Sequence, residues 1–342
     1  MKNLSKIFLI AFLFISLVKG VAYANGPAES GEEKKFSPGD LIMHHILDAH
    51  EWEFAHGLAI PLPVIIYSDK GLDVFSSSHL YHSPDRTYNG YHLNHHDKIE
   101  PVDKSRTIYD ISITKNVASM FISVAILVLI FIGIAKSYGK TKGKAPKGIQ
   151  SFFEPIIMYI RDDIGKGTIG PKYERFMPYL LTVFFFIWFN NLLGLFPGGA
   201  NLTGNIAVTF ILALLTFLVT LLSANGNYWK HILWTPGVPL PLRIIILPIE
   251  IVGMFTKPFS LMVRLFANIT AGHIIILSFI SLIFMFESYA VGFASTAFAV
   301  FMSMLELFVA LLQAYVFTLL SAMYFASAVE EHHHDEAHDH GH

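Results

Sequence analysis

Polar and ionisable side chains interrupt two of the most apolar stretches of the sequence, both near the C-terminus. A charged side chain within an apolar membrane helix costs about 2.5 to 3.5 kcal/mol on insertion scales, so such groups mark ion pathways by default. The residues concerned lie inside these stretches and in the approach to them, and they are Glu250, Lys257, Arg264, Asn268, His273, Glu306 and Gln313. Together they predict an ion pathway through this part of the chain.

Arg264 shares one helical face with Glu250, Lys257 and Asn268, because steps of seven and four residues return to the same side of a helix. Its guanidinium stays charged at any physiological pH, so it blocks proton hopping through its own position and attracts a carboxylate from another chain. At about 4 Å, such a charge pair is worth roughly 4 kcal/mol with an effective dielectric near 20. The alternative is an internal salt bridge, for example with Glu250, or a side chain that reaches the cytoplasmic surface.

His273 follows Arg264 by nine residues, about half a turn around the helix, and therefore faces away from the arginine. If the chain turns back near Ser288, an antiparallel hairpin brings His273 roughly level with Glu306 and Arg264 level with Gln313. His273 and Glu306 can then exchange a proton, because histidine titrates near neutral pH. The alternative is a polar pair that only holds the hairpin together.

Amide side chains within the apolar runs can bond to neighbouring helices. Asn190 and Asn191 belong to an earlier run, and we expect both to be buried and hydrogen-bonded to other helices. For Asn268 and Gln313, ordinary hydrogen bonding between helices and a place in the ion path are both open.

The elements that position these side chains follow from the composition. The 342 residues are 53% hydrophobic and 15% charged, which is more apolar than a soluble core requires. Five runs are long enough for a spanning helix of roughly 20 apolar residues, namely 117–135, 176–196, 202–224, 259–286 and 289–329. The last run has no proline and would be about 60 Å long as one helix, so it forms either two short spans or, as we prefer, one strongly tilted helix.

Between the first two runs, apolar residues from Phe152 to Ile164 recur every three or four positions and predict an amphipathic helix at the cytoplasmic interface. The expected fold is an all-α integral membrane protein with about five membrane-embedded helices plus this interfacial helix. Its last two helices are expected to form a long, strongly tilted hairpin.

The N-terminus resembles an export signal, because Lys2 and Lys6 precede an apolar stretch and Ala22-Tyr23-Ala24 offers a cleavage site. We predict cleavage there, with a short uncleaved anchor as the alternative.

Prolines make residues 60–67 extended or interfacial. Lysines after the first run place that loop in the cytoplasm by the positive-inside rule. The chain thus divides into a signal peptide (residues 1–24), an exported region (25–115), a membrane domain (116–329) and a His- and acid-rich cytoplasmic tail (330–342).

Composition also disfavours several functional classes. The chain has no cysteine, so disulfides and cysteine-ligated metals are excluded, and a net charge of −2 gives no reason to expect a nucleic-acid partner. Histidines of the exported region show no clear ligand spacing. Those of the tail belong to a solvated segment, with opportunistic metal binding as the alternative. We expect no metal and no cofactor.

The segment Lys-Pro-Phe-Ser-Leu-Met-Val-Arg-Leu-Phe-Ala-Asn at 257–268, continuing to Ala271-Gly272-His273, closely resembles the signature of subunit a of F-type ATP synthase in its bacterial form. Further residues match the same pattern, namely Glu306, Gln313 and the run Asn190-Asn191-Leu192-Leu193-Gly194-Leu195. The resemblance covers roughly residues 115–328.

The resemblance implies a membrane subunit with no catalytic site of its own, in the bacterial cytoplasmic (inner) membrane. Arg264 would face a rotating ring of c subunits and separate two offset half-channels. His273 and Glu306 would line the half-channel open to the exterior, with acid and histidine exchanged relative to some bacterial members, and Glu250 would lie near the cytoplasmic exit. The implied partners are the c-subunit ring, the b-subunit peripheral stalk, other ATP synthase subunits and the lipid bilayer.

Two other functional classes stay open beside proton conduction. A secondary transporter with substrate bound at Arg264 would be favoured by an internal repeat of broken helices, and we find none. A passive assembly scaffold would tolerate neutral replacements at His273 and Glu306. Proton and sodium are both open as the ion, because that choice lies largely in the ring carboxylate site of another chain.

Overall fold

The computed structural model describes residues 38–55, 58–94, 97–103, 105–140, 145–196, 198–234 and 239–330. The predicted signal peptide, and the predicted tail beyond Glu330, lie outside these residues. The chain divides into two compact units. The first comprises the residues before Ser119 together with 196–200 and 280–295, and the second comprises the rest.

The first unit is built mainly from short antiparallel strands. Its elements in chain order are α1 (Pro38–Ile46), β1 (Glu51–Ala55), β2 (Leu58–Pro61), β3 (Pro63–Ser68), β4 (Gly71–Ser76), α2 (Ser78–Tyr81), β5 (Thr87–Tyr88), β6 (Tyr91–Leu93), β7 (Ile99–Pro101) and β8 (Ile108–Asp110). β1 pairs with β2, β3 lies between β4 and β8, and β6 lies between β5 and β7. The extended chain expected over 60–67 is confirmed, whereas the sheets were not predicted.

One face of the β3 sheet forms the core of this first unit. Val64 and Ile66, two alternate residues of β3, are fully buried and pack with Leu80 and Tyr91. Successive side chains of a strand point to opposite faces, so Ile65 and Tyr67 lie on the other side of the sheet. The unit therefore buries one face of its largest sheet and leaves the other face open.

The second unit is helical, and the ends of three of its helices extend into the first unit. The long helices and their connections are α3 (Lys115–Lys140), α4 (Ile149–Tyr159), a π-helix (Ile160–Ile169), a 3-10 helix (Gly170–Arg175), α5 (Met177–Gly194), α6 (Ile206–Ser223), α7 (Gly226–Leu233), α8 (Leu240–Phe286) and α9 (Tyr289–Val329). Within the described part of the chain, α3, α5, α6, α8 and α9 are long and apolar enough to cross a membrane. The predicted membrane fold with five embedded helices is confirmed, and the tilt of the last two stays a prediction.

The predicted amphipathic helix is formed by α4 and the π-helix that continues it. Phe153, Ile160 and Ile164 are buried in the helical core, whereas Phe152 is exposed. Arg161 and Asp162 form a surface ion pair of 2.8 Å, and this hydrogen-bonded arginine holds the pKa of the Asp162 carboxyl well below its usual range. The helix has the expected two faces, and its place at the membrane interface stays a prediction.

The last two helices are longer than an average bilayer is thick. α8 begins at Leu240, well before the apolar run that starts at 259, and runs through Pro248 and Pro258. Membrane helices tolerate proline because neighbouring groups satisfy the freed backbone carbonyls. α9 is one uninterrupted helix over 289–329, so the preferred single helix is confirmed over two short spans. Between them the backbone reverses at Glu287, whose φ is 45°.

Packing between α8 and α9 fixes which side chains point inward. Leu261 and Leu265 of α8 are fully buried in the same core as Ala314 and Phe317 of α9. Small residues at a contact let two membrane helices approach closely. Leu261 and Leu265 therefore define the buried side of α8. Arg264, which lies between them in the sequence, is on the exposed side.

Candidate functional site

His273 and Glu306 meet between α8 and α9. The distance from His273 Nδ1 to Glu306 Oε1 is 2.9 Å, and the two side chains are only 12% and 4% exposed. The approach is not aligned as a hydrogen bond, and neither carboxyl oxygen has such a partner among the described residues. A buried imidazole and carboxyl in this contact can hold one proton between them, on either group.

Gly272 makes the room that the Glu306 carboxyl occupies. A Cβ atom at this position would lie 2.9 Å from Glu306 Oε1 and 3.1 Å from its Cδ. Contacts that short force a neighbour to move. The sequence Ala271-Gly272-His273 therefore supplies both the space for the carboxyl and its basic partner.

Asn268 and Gln313 form a second contact between the two helices. Asn268 Nδ2 donates to Gln313 Oε1 at 2.9 Å, and Gln313 is buried. The hairpin register predicts that Arg264 is level with Gln313. The hydrogen bond to Gln313 is instead made by Asn268, one turn further along α8. The Gln313 Nε2 group has no hydrogen-bond partner within the described residues.

Arg264 lies on the exposed side of α8. Leu261 and Leu265 next to it are buried, whereas Arg264, Ala267 and Ala271 are exposed. In the part of the chain that the structure describes, the guanidinium makes no hydrogen bond or ion pair. The internal salt bridge with Glu250 is therefore not formed, and a cation with two small neighbours is presented outward.

Glu250 and Lys257 line a cavity of about 240 Å³ in the second unit. Tyr228 and His231 of α7 and Glu330 after α9 line it too. Burial raises the pKa of the Tyr228 hydroxyl, and the negative charge of Glu250 adds to this shift. The cavity thus gathers titratable side chains from three separate parts of the chain.

Lys257 is held at the edge of this cavity by α9. Its Nζ atom lies 5.8 Å from the centre of the Tyr324 ring, and Tyr324 Oη lies 3.4 Å from the Lys257 carbonyl oxygen. A cation over an aromatic face is attracted by the ring quadrupole. These contacts of Lys257 with Tyr324 therefore hold α8 against α9 two turns before Arg264.

The two asparagines of α5 have different partners. Asn191 Nδ2 donates to the Ala310 carbonyl of α9 at 3.3 Å, and its Oδ1 accepts from Thr203 Oγ1 at 2.5 Å. Asn190 Nδ2 donates to Phe186 within its own helix. Both are buried as expected, but only Asn191 makes the predicted bond to another helix.

The sequence predicts the α8 and α9 pairs but does not predict His231 and Glu330 as neighbours of Glu250. The pairs share two long helices, so counting residues from the turn places them approximately. His231 lies on the short helix α7 and Glu330 follows α9, so only tertiary packing brings them to Glu250. The one sequence signal for them was their position beside the ends of apolar runs.

Comparison with known proteins finds two family models and several similar relatives. A family model described as ATP synthase A chain matches residues 117–326, and one described as "Domain of unknown function (DUF8433)" matches residues 41–120. ATP synthase subunit a of Chloroherpeton thalassium is 52% identical over 68% of this chain and 71% of the relative. ATP synthase subunit a 2 of Prosthecochloris aestuarii is 40% identical over 98% of this chain and 96% of the relative. The chain belongs to the ATP synthase A chain family.

Proposed function

We propose that this chain is the proton-conducting stator subunit of an F-type ATP synthase, and that it provides two half-channels to and from carboxylates on the ring of c subunits. Membership of the ATP synthase A chain family supports the coarse assignment to the membrane sector. The observation that supports the finer mechanism is the outward-facing guanidinium of Arg264, which forms no hydrogen bond or ion pair to any described residue.

Arg264 lies between two groups of titratable side chains along α8. His273 is nine residues away in one direction and Glu250 is fourteen in the other, or about 13 and 21 Å at 1.5 Å per residue. Each group can exchange protons, whereas a guanidinium stays protonated at physiological pH. A permanent cation between two proton-exchanging sites prevents a proton from passing directly between them.

The entry path uses His273 and Glu306. Their side chains are nearly buried and 2.9 Å apart, so a proton that reaches one can pass to the other. The half-channel that this pair lines opens to the exterior. Asn268 and Gln313 lie between this pair and Arg264 and provide polar groups along the path.

Arg264 acts on the ring carboxylate electrostatically. At about 4 Å, the charge pair is worth roughly 4 kcal/mol with an effective dielectric near 20. That energy corresponds to about three pKa units, enough to make an arriving carboxylic acid release its proton. The proton leaves through the cavity beside Glu250, and the carboxylate passes Arg264 before it is protonated again from the entry side.

The membrane potential drives the cycle with about 2.3 kcal/mol per charge per 100 mV. The chain itself has no catalytic site in this account, because other ATP synthase subunits make or hydrolyse ATP. Its partners are the c ring at the Arg264 face, the b-subunit peripheral stalk and the lipid of the bacterial inner membrane. The N-terminal unit lies outside, and the end of α9 lies on the cytoplasmic side.

The proposal is tested by ATP-driven proton pumping in vesicles that carry the complete complex. Arg264→Ala should abolish coupled pumping while the complex still assembles. Arg161→Ala, which removes an exposed arginine of the π-helix, is the matched control and should pump normally. Unchanged coupled pumping in Arg264→Ala would refute the proposal, and a substrate-dependent flux without the c ring would point to a secondary transporter.

A further inference from the structure

The first unit exposes an apolar face on its largest sheet. The residues of this outer sheet face are between 54% and 67% exposed, and they are Tyr67, Leu72, Val74, Tyr109 and Ile111. An antiparallel sheet with one buried face normally presents polar side chains on its other face. An exposed apolar patch of this kind marks a contact with a partner or a membrane.

Strand register makes these five residues contiguous. Tyr67 of β3 is paired with Leu72 of β4 on one side and with Tyr109 of β8 on the other. Ile65 is paired with Val74, and its carbonyl oxygen accepts a hydrogen bond from Ile111 N at 2.9 Å. The outer sheet face therefore consists of two adjacent rows that cross all three strands.

The outer sheet face carries no charged side chain from its strands. Asp73 and Asp110 alternate with its residues and point to the opposite side of the sheet. There Asp73 accepts a hydrogen bond from Tyr91 Oη at 2.5 Å, and Asp110 Oδ2 lies 3.0 Å from His50 Nε2. The apolar rows are thus free of charge across the width of the sheet.

The sheet is joined closely to the start of the first candidate span. Pairing to β3 continues beyond β8, because Ile113 N donates to the Pro63 carbonyl oxygen at 3.2 Å. The span begins two residues later at Lys115, whose backbone N–H donates to Ala49. Lys115 is four positions after Ile111, which corresponds to at most about 14 Å of extended chain. Along the chain, the row of Ile65, Val74 and Ile111 is therefore the row nearer the start of the span.

We propose that the outer sheet face lies against the lipid bilayer, at the boundary between the head groups and the acyl chains on the exterior side. Continuity with the span brings the row of Ile65, Val74 and Ile111 to the depth of the head groups, since the interfacial region adds about 5 to 8 Å on each side of the hydrocarbon core. Tyr67 and Tyr109 form the outer row with Leu72. Tyrosine is enriched at this boundary because its ring is apolar and its hydroxyl group is polar.

The contact is tested by spin labelling of the full chain in its assembled complex in lipid nanodiscs. Because the chain has no cysteine, Leu72→Cys, Val74→Cys and Tyr109→Cys each give a single labelling site on this chain. Collisions of the label with oxygen, which partitions into lipid, are compared with collisions with a water-soluble nickel chelate. Asp85→Cys, an exposed position in the turn before β5, is the control.

The lipid contact predicts an oxygen-to-nickel collision ratio several-fold higher at Leu72 and Val74 than at Asp85. A ratio equal to that of Asp85 would overturn the proposal, because the face would then lie in water. Low collision rates with both reagents would also overturn it and would show that a protein subunit covers the face. Neither result bears on proton pumping, so the proposed function is tested separately.

Discussion

The glycine at 272 lies opposite the carboxyl of Glu306, where a Cβ atom would come within 2.9 Å of Oε1. The same oxygen lies 2.9 Å from Nδ1 of His273, the next residue along the chain. The absence of a side chain at one position thus permits the contact made by its neighbour. The distance between the His273 imidazole and the Glu306 carboxyl therefore depends on the missing side chain at Gly272 as well as on the two groups themselves.

Gly272→Ala is expected to displace the Glu306 carboxyl from His273. Overpacking of this kind costs about 1 to 3 kcal/mol, so the complex should still assemble while ATP-driven proton pumping falls. Gly133→Ala in α3 is the matched control, because a Cβ atom there meets nothing within 4 Å. Equal pumping rates for the two variants would show that the spacing between imidazole and carboxyl does not matter.

Glu306→Gln keeps the shape of the side chain but removes the group that carries a proton. If Glu306 transfers protons, pumping should fall by about a hundredfold or more, the low end of what a positioned acid or base contributes. Glu287→Gln changes an exposed acid at the hairpin turn and should leave pumping unchanged. Normal pumping in Glu306→Gln would favour the passive scaffold, which tolerates neutral replacements.

The cavity beside Glu250 is expected to be accessible to water from the cytoplasm. Gly253→Cys places a thiol in its lining, at a position where a Cβ atom meets no neighbour. It should react with a charged, membrane-impermeant thiol reagent added from the cytoplasmic side. Phe255→Cys, two residues further on an exposed part of α8, should be protected by lipid. Equal reactivity of both thiols would contradict a water-filled exit.

Stability of the first unit should fall in acid because of Asp110. Burial alone would raise the pKa of this carboxyl, but hydrogen bonds with His50 and Ser112 outweigh it and lower the pKa from 3.8. A carboxyl with a lowered folded-state pKa stabilises the fold above its unfolded pKa, and this contribution is lost as the pH falls through the folded value.

Amide hydrogen exchange in β3 and β8, corrected for its intrinsic pH dependence, measures this effect. Protection should be steady between neutral pH and about pH 5 and should decline below about pH 4. Asp110→Asn should make the decline shallower, whereas Asp85→Asn in an exposed turn should not. An identical decline in all three proteins would remove Asp110 as its cause.

The helical part of the fold could be predicted because membrane helices require long apolar runs. The run 289–329 was predicted to its last residue, since nothing inside it breaks a helix. The apolar run that starts at 259 covers only part of α8, which begins nineteen residues earlier at Leu240, because prolines that end helices in water are tolerated in lipid. The strands of the first unit are short, and the exposed face of its largest sheet is apolar, so the usual alternation that reveals a strand is absent there.

The candidate site was predictable where its residues share a hairpin. Counting from the turn brought His273 to Glu306, and that contact is present. The same count was off by one turn for Gln313, which bonds to Asn268, because helix register depends on how the two surfaces pack. His231 reaches the Glu250 cavity from a separate helix, and no spacing in the sequence encodes that approach.

The central claim is that the Arg264 face of α8 meets the ring of c subunits, and disulfide cross-linking in the assembled complex tests it most directly. Ala267→Cys and Ala271→Cys are exposed beside Arg264, and each is paired with a cysteine introduced next to the ring carboxylate. Both should form cross-links to the ring, whereas Leu129→Cys, highly exposed on α3, should form none. Cross-linking from Leu129→Cys alone, or from none of the three variants, would contradict the account.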